Sequence, residues 1–124
     1  MKKGFTLVEI MIVVAIIGIL IAIAVPGFLR ARENSRGQAC QENLTKIDGA
    51  KEQWALEFKH SNGTALADDD AFLGDVNIFG TNGYVKKTPK CPSSGTYTVN
   101  NIGIDPICSI GTTNEPFTPH QMPE

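Results

Sequence analysis

The run Phe5-Thr6-Leu7-Val8-Glu9 leads directly into IMIVVAIIGILIAIAVPGFL, residues 10–29, twenty consecutive positions without a charged or hydrogen-bonding side chain. As a helix at about 1.5 Å per residue, such a stretch covers roughly 30 Å, the thickness of a bilayer's hydrocarbon core. Half of the twenty are Ile or Val, which in water would favour a strand. In lipid, however, a single segment satisfies its backbone hydrogen bonds only as a helix. Residues 5–29 therefore read as a membrane-spanning helix. Almost all the charge of the 124-residue chain lies beyond it, so the whole-chain averages of 42% hydrophobic, 19% charged and net charge −2 describe two unlike materials joined end to end.

One residue departs from a plain anchor. Glu9 places a carboxylate at the start of the apolar run, where burial at a helix centre costs about 2.5–3.5 kcal/mol. No basic side chain follows within a turn or two, and Lys2 and Lys3 are near only while the first residues remain attached. A cut after Gly4 would create an ammonium on Phe5, one helical turn before Glu9 and equally available to the Glu9 of a neighbouring copy. A secretory signal peptide is the competing reading, since Ala22-Ile23-Ala24 fits a small-x-small cleavage site. The apolar run is longer than such signals, continues past that site and begins with an acid, all of which count against it.

Lys2-Lys3-Gly4-Phe5-Thr6-Leu7-Val8-Glu9 followed by the long apolar helix resembles the N-terminus of type IV prepilins and type II secretion pseudopilins. The resemblance covers about the first thirty residues. It implies a leader, residues 1–4, removed between Gly4 and Phe5 by a membrane-embedded prepilin peptidase that then N-methylates Phe5. It also implies that Glu9, at the fifth mature position, serves filament assembly. Gly18 and Pro26 sit where related pilins carry helix-weakening residues. Proline lacks an amide hydrogen and clashes with the carbonyl four residues back, so the helix is expected to kink or melt between them when subunits pack; a simple kink at the membrane exit is the plainer alternative. Arg30, Arg32 and Arg36 balance Lys2 and Lys3 in the positive-inside count. The orientation, with a cytoplasmic N-terminus and a periplasmic or extracellular remainder in the bacterial inner membrane, therefore comes from the resemblance.

Beyond the membrane, Cys40, Leu44, Ile47, Trp54 and Phe58, with Ala50 and the stem of Lys51, form one helical stripe; Glu42, Lys46, Asp48, Glu52, Glu57 and Lys59 occupy the other faces. Residues 30–60 thus read as an amphipathic continuation, giving about 80 Å of helix in all and ending at His60-Ser61-Asn62-Gly63. Residues 61–124 read as a small loop-rich layer. Asp68-Asp69-Asp70 would cap a short turn at Ala71-Phe72-Leu73. Gly95–Val99, Asn100–Gly103 and Ile104–Ile110 read as strand, turn, strand, with Tyr97, Val99, Ile107 and Ile110 facing the helix stripe. Pro116, Pro119 and Pro123 mark an extended or flexible tail. The expected class is α+β and pilin-like: one long N-terminal helix, transmembrane then amphipathic, packed against a small antiparallel hairpin.

Three cysteines in a segment facing an oxidising compartment suggest one disulfide and one leftover thiol. Cys91 and Cys108 bracket the hairpin and are the favoured pair, with Cys40 to either as the alternative. No metal is expected, because there is no C-x-x-C and His60 and His120 are far apart in sequence. Asp68, Asp69, Asp70, Asp75 and Asn77 lack EF-hand spacing and read as a solvated loop, although calcium binding stays open. Cys91-Pro92-Ser93-Ser94-Gly95-Thr96-Tyr97 with Cys108-Ser109 resembles the C-terminal pattern of some short pilin-like and pseudopilin-like proteins.

Neither a nucleophile elbow, a phosphate loop nor a dinucleotide fingerprint occurs, so no enzyme and no cofactor is expected. A near-neutral charge balance gives no case for nucleic acid as main partner. The resemblance implies a structural subunit of a type IV pilus or a type II secretion pseudopilus. Its partners would be further copies of itself, other pilins or pseudopilins, the prepilin peptidase, the inner-membrane assembly platform and the membrane. A minor tip subunit binding DNA, a surface or a secreted substrate, and a monomeric tethered domain, are the alternatives.

Overall fold

The computed structural model describes residues 3–66, 78–80 and 83–124. Its elements are a helix α1, Leu7–Phe58, and two short strands, β1, Tyr97–Thr98, and β2, Ile107–Cys108, paired antiparallel with Tyr97 opposite Cys108 and Thr98 opposite Ile107. This is the expected α+β arrangement. The chain divides into two units, Met1–Glu33 and Asn34–Glu124. The Asp68–Asp70 cap, the turn at Ala71–Leu73 and the Asp75 and Asn77 oxygens lie outside the described residues.

In the first unit α1 is continuous through Gly18 and Pro26. Every large apolar side chain from Phe5 to Leu29 is exposed, from 45% at Val25 to 87% at Phe5. An 18-residue window there has a mean hydropathy of 3.1 and no residue buried, which is long and apolar enough to cross a membrane.

In the second unit the helix stripe is covered. Gly37, Cys40, Leu44, Ile47, Ala50, Lys51, Trp54 and Ala55 are buried, close to the expected set except that Phe58 stays half exposed. Two packed groups lie on it. Ile47, Ala50, Trp54 and Ala55 meet Leu66, Ile78, Phe79, Val99 and Ile102, while Cys40 and Leu44 meet Cys91 and Cys108. The expected Glu42–Lys46 pair forms at 2.9 Å on the exposed face. Trp54 stacks on His60, with ring centroids 4.4 Å apart.

Hairpin alternation corrects one expectation. Pro106 and Cys108 point inward, so Ile107 between them points outward and is about half exposed. Val99 is buried as expected. The tail also differs from its proline-based reading. Asn34 accepts hydrogen bonds from the amide and hydroxyl of Thr118, Gln41 Nε2 donates to Pro119 O at 3.0 Å, and the His120 amide donates to Gly111 O at 2.7 Å. Gly37 makes this docking possible, because a Cβ there would overlap the Thr118 carbonyl oxygen. Side-chain ties to the helix override what the prolines suggest by themselves.

Lys51 joins helix to hairpin. Its ammonium is fully buried and donates to the carbonyls of Val99 at 2.8 Å, Asn101 at 3.2 Å and Ile104 at 2.5 Å, with Asp48 at 3.8 Å. Burial lowers its pKa from the ordinary lysine value, while Asp48, Asp105 and Glu52 act in the opposite sense. An ammonium offers three donors and here finds three acceptors, so the turn after β1 keeps its inward carbonyls satisfied. Replacement by an isosteric apolar chain would strand all three. We expect Lys51→Met to lower the unfolding free energy by about 3 kcal/mol, read from the denaturant midpoint of the detergent-solubilised chain.

The helix ends at Phe58, just ahead of the expected His60-Ser61-Asn62-Gly63 cap. Lys59 adopts φ 56° and the His60 amide donates to Ala55 O at 2.9 Å, the six-to-one bond of a Schellman cap. A lysine at a left-handed position is strained relative to glycine. Lys59→Gly is therefore expected to raise stability by about 1 kcal/mol in the same denaturation measurement.

Candidate functional site

The chemistry-bearing residues fall into two places, one in each unit. At the start of α1, Thr6 and Glu9 form a reciprocal cap. The Thr6 amide and hydroxyl donate to Glu9 Oε2 at 2.9 and 3.2 Å, and the Glu9 amide donates to Thr6 Oγ1 at 3.2 Å. This is a capping box, with Thr at the N-cap and Glu three residues later, and it satisfies amides that the first helical turn leaves without partners. The pattern Thr-x-x-Glu was visible in the sequence; reading Glu9 only as a charge in need of a counter-ion missed it. Gly4 and Phe5 precede the helix in open chain, and Phe5 is almost fully exposed. Phe5 and the Glu9 carboxylate thus lie about one turn apart, at the end of an exposed apolar helix surface.

In the second unit, the three cysteines and His120 converge. The ligand atoms of Cys40, Cys91, Cys108 and His120 all lie within 4.8 Å of one another, and all four residues are buried. Each comes from a different segment: Cys40 from α1, Cys91 from the loop before β1, Cys108 from β2 and His120 from the tail. Cys91 Sγ is 3.3 Å from His120 Nδ1. The Tyr97 hydroxyl donates to Cys40 Sγ at 3.4 Å and accepts from Asn43 Nδ2 at 3.2 Å. Gly95 leaves space for the group, since a Cβ there would lie 2.6 Å from Cys108 Sγ.

The disulfide expected between Cys91 and Cys108 is not formed: all three cysteines are free thiols. Burial pushes the Cys40 thiol up to about 12; the Tyr97 hydrogen bond opposes that shift, and Cys108 and Cys91 reinforce it. Burial likewise raises Tyr97, and its bond to Cys40 adds to this. Distance in sequence, the reason given for setting His120 aside, proves no guide to distance in space, because the tail folds back over the helix.

Residues 1–25 match the family model described as the prokaryotic N-terminal methylation motif. The chain is 27% identical over 107 residues to the type II secretion system core protein G of Escherichia coli (strain K12), covering 82% of this chain and 74% of that protein. The chain belongs to the type IV pilin and pseudopilin family. Within that family it is also similar to the type IV major pilin protein PilA of Myxococcus xanthus (strain DK1622), at 46% identity over 56 residues, 45% of this chain and 26% of that protein. To the type IV major fimbrial protein FimA of Dichelobacter nodosus it is 34% identical over 99 residues, covering 74% of this chain and 64% of that protein. No solved structure matches.

The capping box in this pilin-family chain bears on its first turn alone. Thr6→Val removes the hydroxyl that both donates to and accepts from Glu9, and is expected to fray the start of α1. Amide hydrogen exchange at residues 7–10 should accelerate several-fold, corresponding to about 1 kcal/mol of lost capping.

Proposed function

We propose that this protein is a structural subunit of a type IV pilus or a type II secretion pseudopilus, processed between Gly4 and Phe5 and built into a helical filament through α1. The observation that carries the reading is the apolar surface of residues 10–29, exposed around the whole helix and headed by one carboxylate. Such a surface is stable in only two settings, a bilayer or a bundle of like helices. A subunit that exchanges one for the other trades lipid contacts for helix contacts, a nearly balanced change that a single charge pair can tip. Glu9 supplies one partner of that pair, and the Phe5 ammonium released by cleavage supplies the other.

The inner membrane holds the subunit before assembly, with the leader on the cytoplasmic side and the second unit outside. The prepilin peptidase removes residues 1–4 and methylates the Phe5 amine, after which the assembly platform extracts the helix. Gly18 and Pro26 are where α1 gives way if packing requires it to bend. Relatives named as core and major subunits favour the bulk-subunit role over a rare tip subunit.

The capping box makes the test of Glu9 sharper. Glutamine can occupy the acidic position of a capping box, whereas alanine cannot. If Glu9 pairs with the Phe5 ammonium of a neighbour, Glu9→Gln and Glu9→Ala both abolish filaments by electron microscopy while membrane insertion persists. Normal filaments from Glu9→Gln alone would mean that the residue merely caps its own helix. Mass spectrometry of the native polypeptide checks processing independently: loss of residues 1–4 and a methylated Phe5 are expected, and an intact leader or a cut after Ala24 contradicts the reading.

A further inference from the structure

The second unit buries three thiols and an imidazole around one point, a composition that apolar packing does not call for. In the smaller of its two packed groups, three of the four buried members are cysteines. His120, at 1% exposure, adds a polar ring to it. Leucine or valine would fill such a space without a polar atom. The arrangement is explained by what these side chains have in common, which is soft and borderline donor atoms.

We propose that Cys40, Cys91, Cys108 and His120 are the four ligands of a structural zinc site. Three sulfurs and one nitrogen form a complete tetrahedral donor set, closed to solvent as structural sites are. With zinc–sulfur bonds of about 2.3 Å and a zinc–nitrogen bond of about 2.0–2.1 Å, the edges of that tetrahedron measure roughly 3.6–3.8 Å. The four donor atoms already lie within 4.8 Å of one another, and Cys91 Sγ and His120 Nδ1 are 3.3 Å apart, so adjustments of an ångström or less at the side chains complete the geometry.

The surroundings are built for ligands. The Tyr97 hydroxyl donates to Cys40 Sγ and is itself held by Asn43, the outer-shell hydrogen bonding that orients a metal-bound thiolate. The tail delivers His120 under constraint, tied at Thr118, Pro119 and the His120 amide. Gly37 and Gly95 stand at the two points where any Cβ would obstruct the tail or the Cys108 sulfur. One ion would fasten α1, the loop before β1, β2 and the tail together. A unit of roughly ninety residues with two-residue strands has a thin core, and a structural metal is one of the few devices that compensate.

The rival is a disulfide between two of the three cysteines, which would leave a thiol and a buried imidazole without a common role. The two outcomes separate on the full-length chain, extracted from membranes in detergent without reductant. Elemental analysis is expected to give about one zinc per chain, with three cysteines open to alkylation only after chelation. Cobalt(II) exchanged into the site should show thiolate-to-cobalt charge transfer and the intense visible bands of a tetrahedral ion. His120→Leu should lose the metal on dialysis against a chelator, whereas His120→Cys should keep it with a four-thiolate cobalt spectrum. That rescue separates a ligand from a packing residue, even if His120→Leu folds poorly. Wild-type protein that takes up neither zinc nor cobalt, or that carries a disulfide between two of the cysteines and no metal, overturns the proposal.

Discussion

An exposed apolar surface around a membrane-length stretch of helix is the constraint on which the molecule depends. The large apolar side chains from Ile10 to Leu29 are exposed. At about 25 cal/mol per Å², the surface of twenty such residues far exceeds the few kcal/mol by which a small domain is stable. The protein therefore has no settled state alone in water; its surroundings, lipid or other helices, are part of its structure. The features near the N-terminus make sense against that demand. Glu9 is costly in apolar surroundings unless paired, and its capping bonds to Thr6 give it an intramolecular role.

The second unit solves the opposite problem. It has too little apolar surface rather than too much, and it covers one helix stripe with loops and a hairpin of two-residue strands. Backbone pairing contributes little to such a layer. Specific polar anchors take its place: Lys51 gathering three carbonyls of the turn, Asn34 and Gln41 holding the tail, and Tyr97 bridging Asn43 and Cys40. Lys51, Asn34 and Gln41 are side chains of α1 that reach loop backbone, whereas Tyr97 ties β1 to two side chains of α1. This is how a loop-rich layer acquires a defined conformation without a large core.

The same economy bears on the four donor residues. Cysteines ordinarily stabilise a small domain by cross-links between pairs, each joining two segments. A tetrahedral ion joins four, and here the four segments are the helix, the loop before the hairpin, the hairpin and the tail. The stabilisation would come from closing several loops at once, the circumstance in which a metal clip acts most strongly.

Periodicity and composition alone determined a good deal. Twenty apolar residues behind one acid fixed a membrane-length helix, because backbone satisfaction in lipid admits no other conformation for a lone segment. The spacing of Cys40, Leu44, Ile47 and Trp54 fixed the buried face beyond it, because a helix repeats every 3.6 residues. The positions of Tyr97 and Cys108 in a hairpin were legible from alternation and turn residues, although Ile107 was assigned to the wrong face, since alternation is clear only once the inward Pro106 and Cys108 are known. The capping box was local enough to read and was obscured by attention to charge. Only the tertiary structure decided the rest: that Lys51 is buried for its ammonium as well as its stem, that the proline-bearing tail docks at Gly37, and that His120 meets three cysteines from distant parts of the chain. Those outcomes depend on contacts between residues far apart in sequence, and no local pattern encodes which loop a folded chain brings back to its helix.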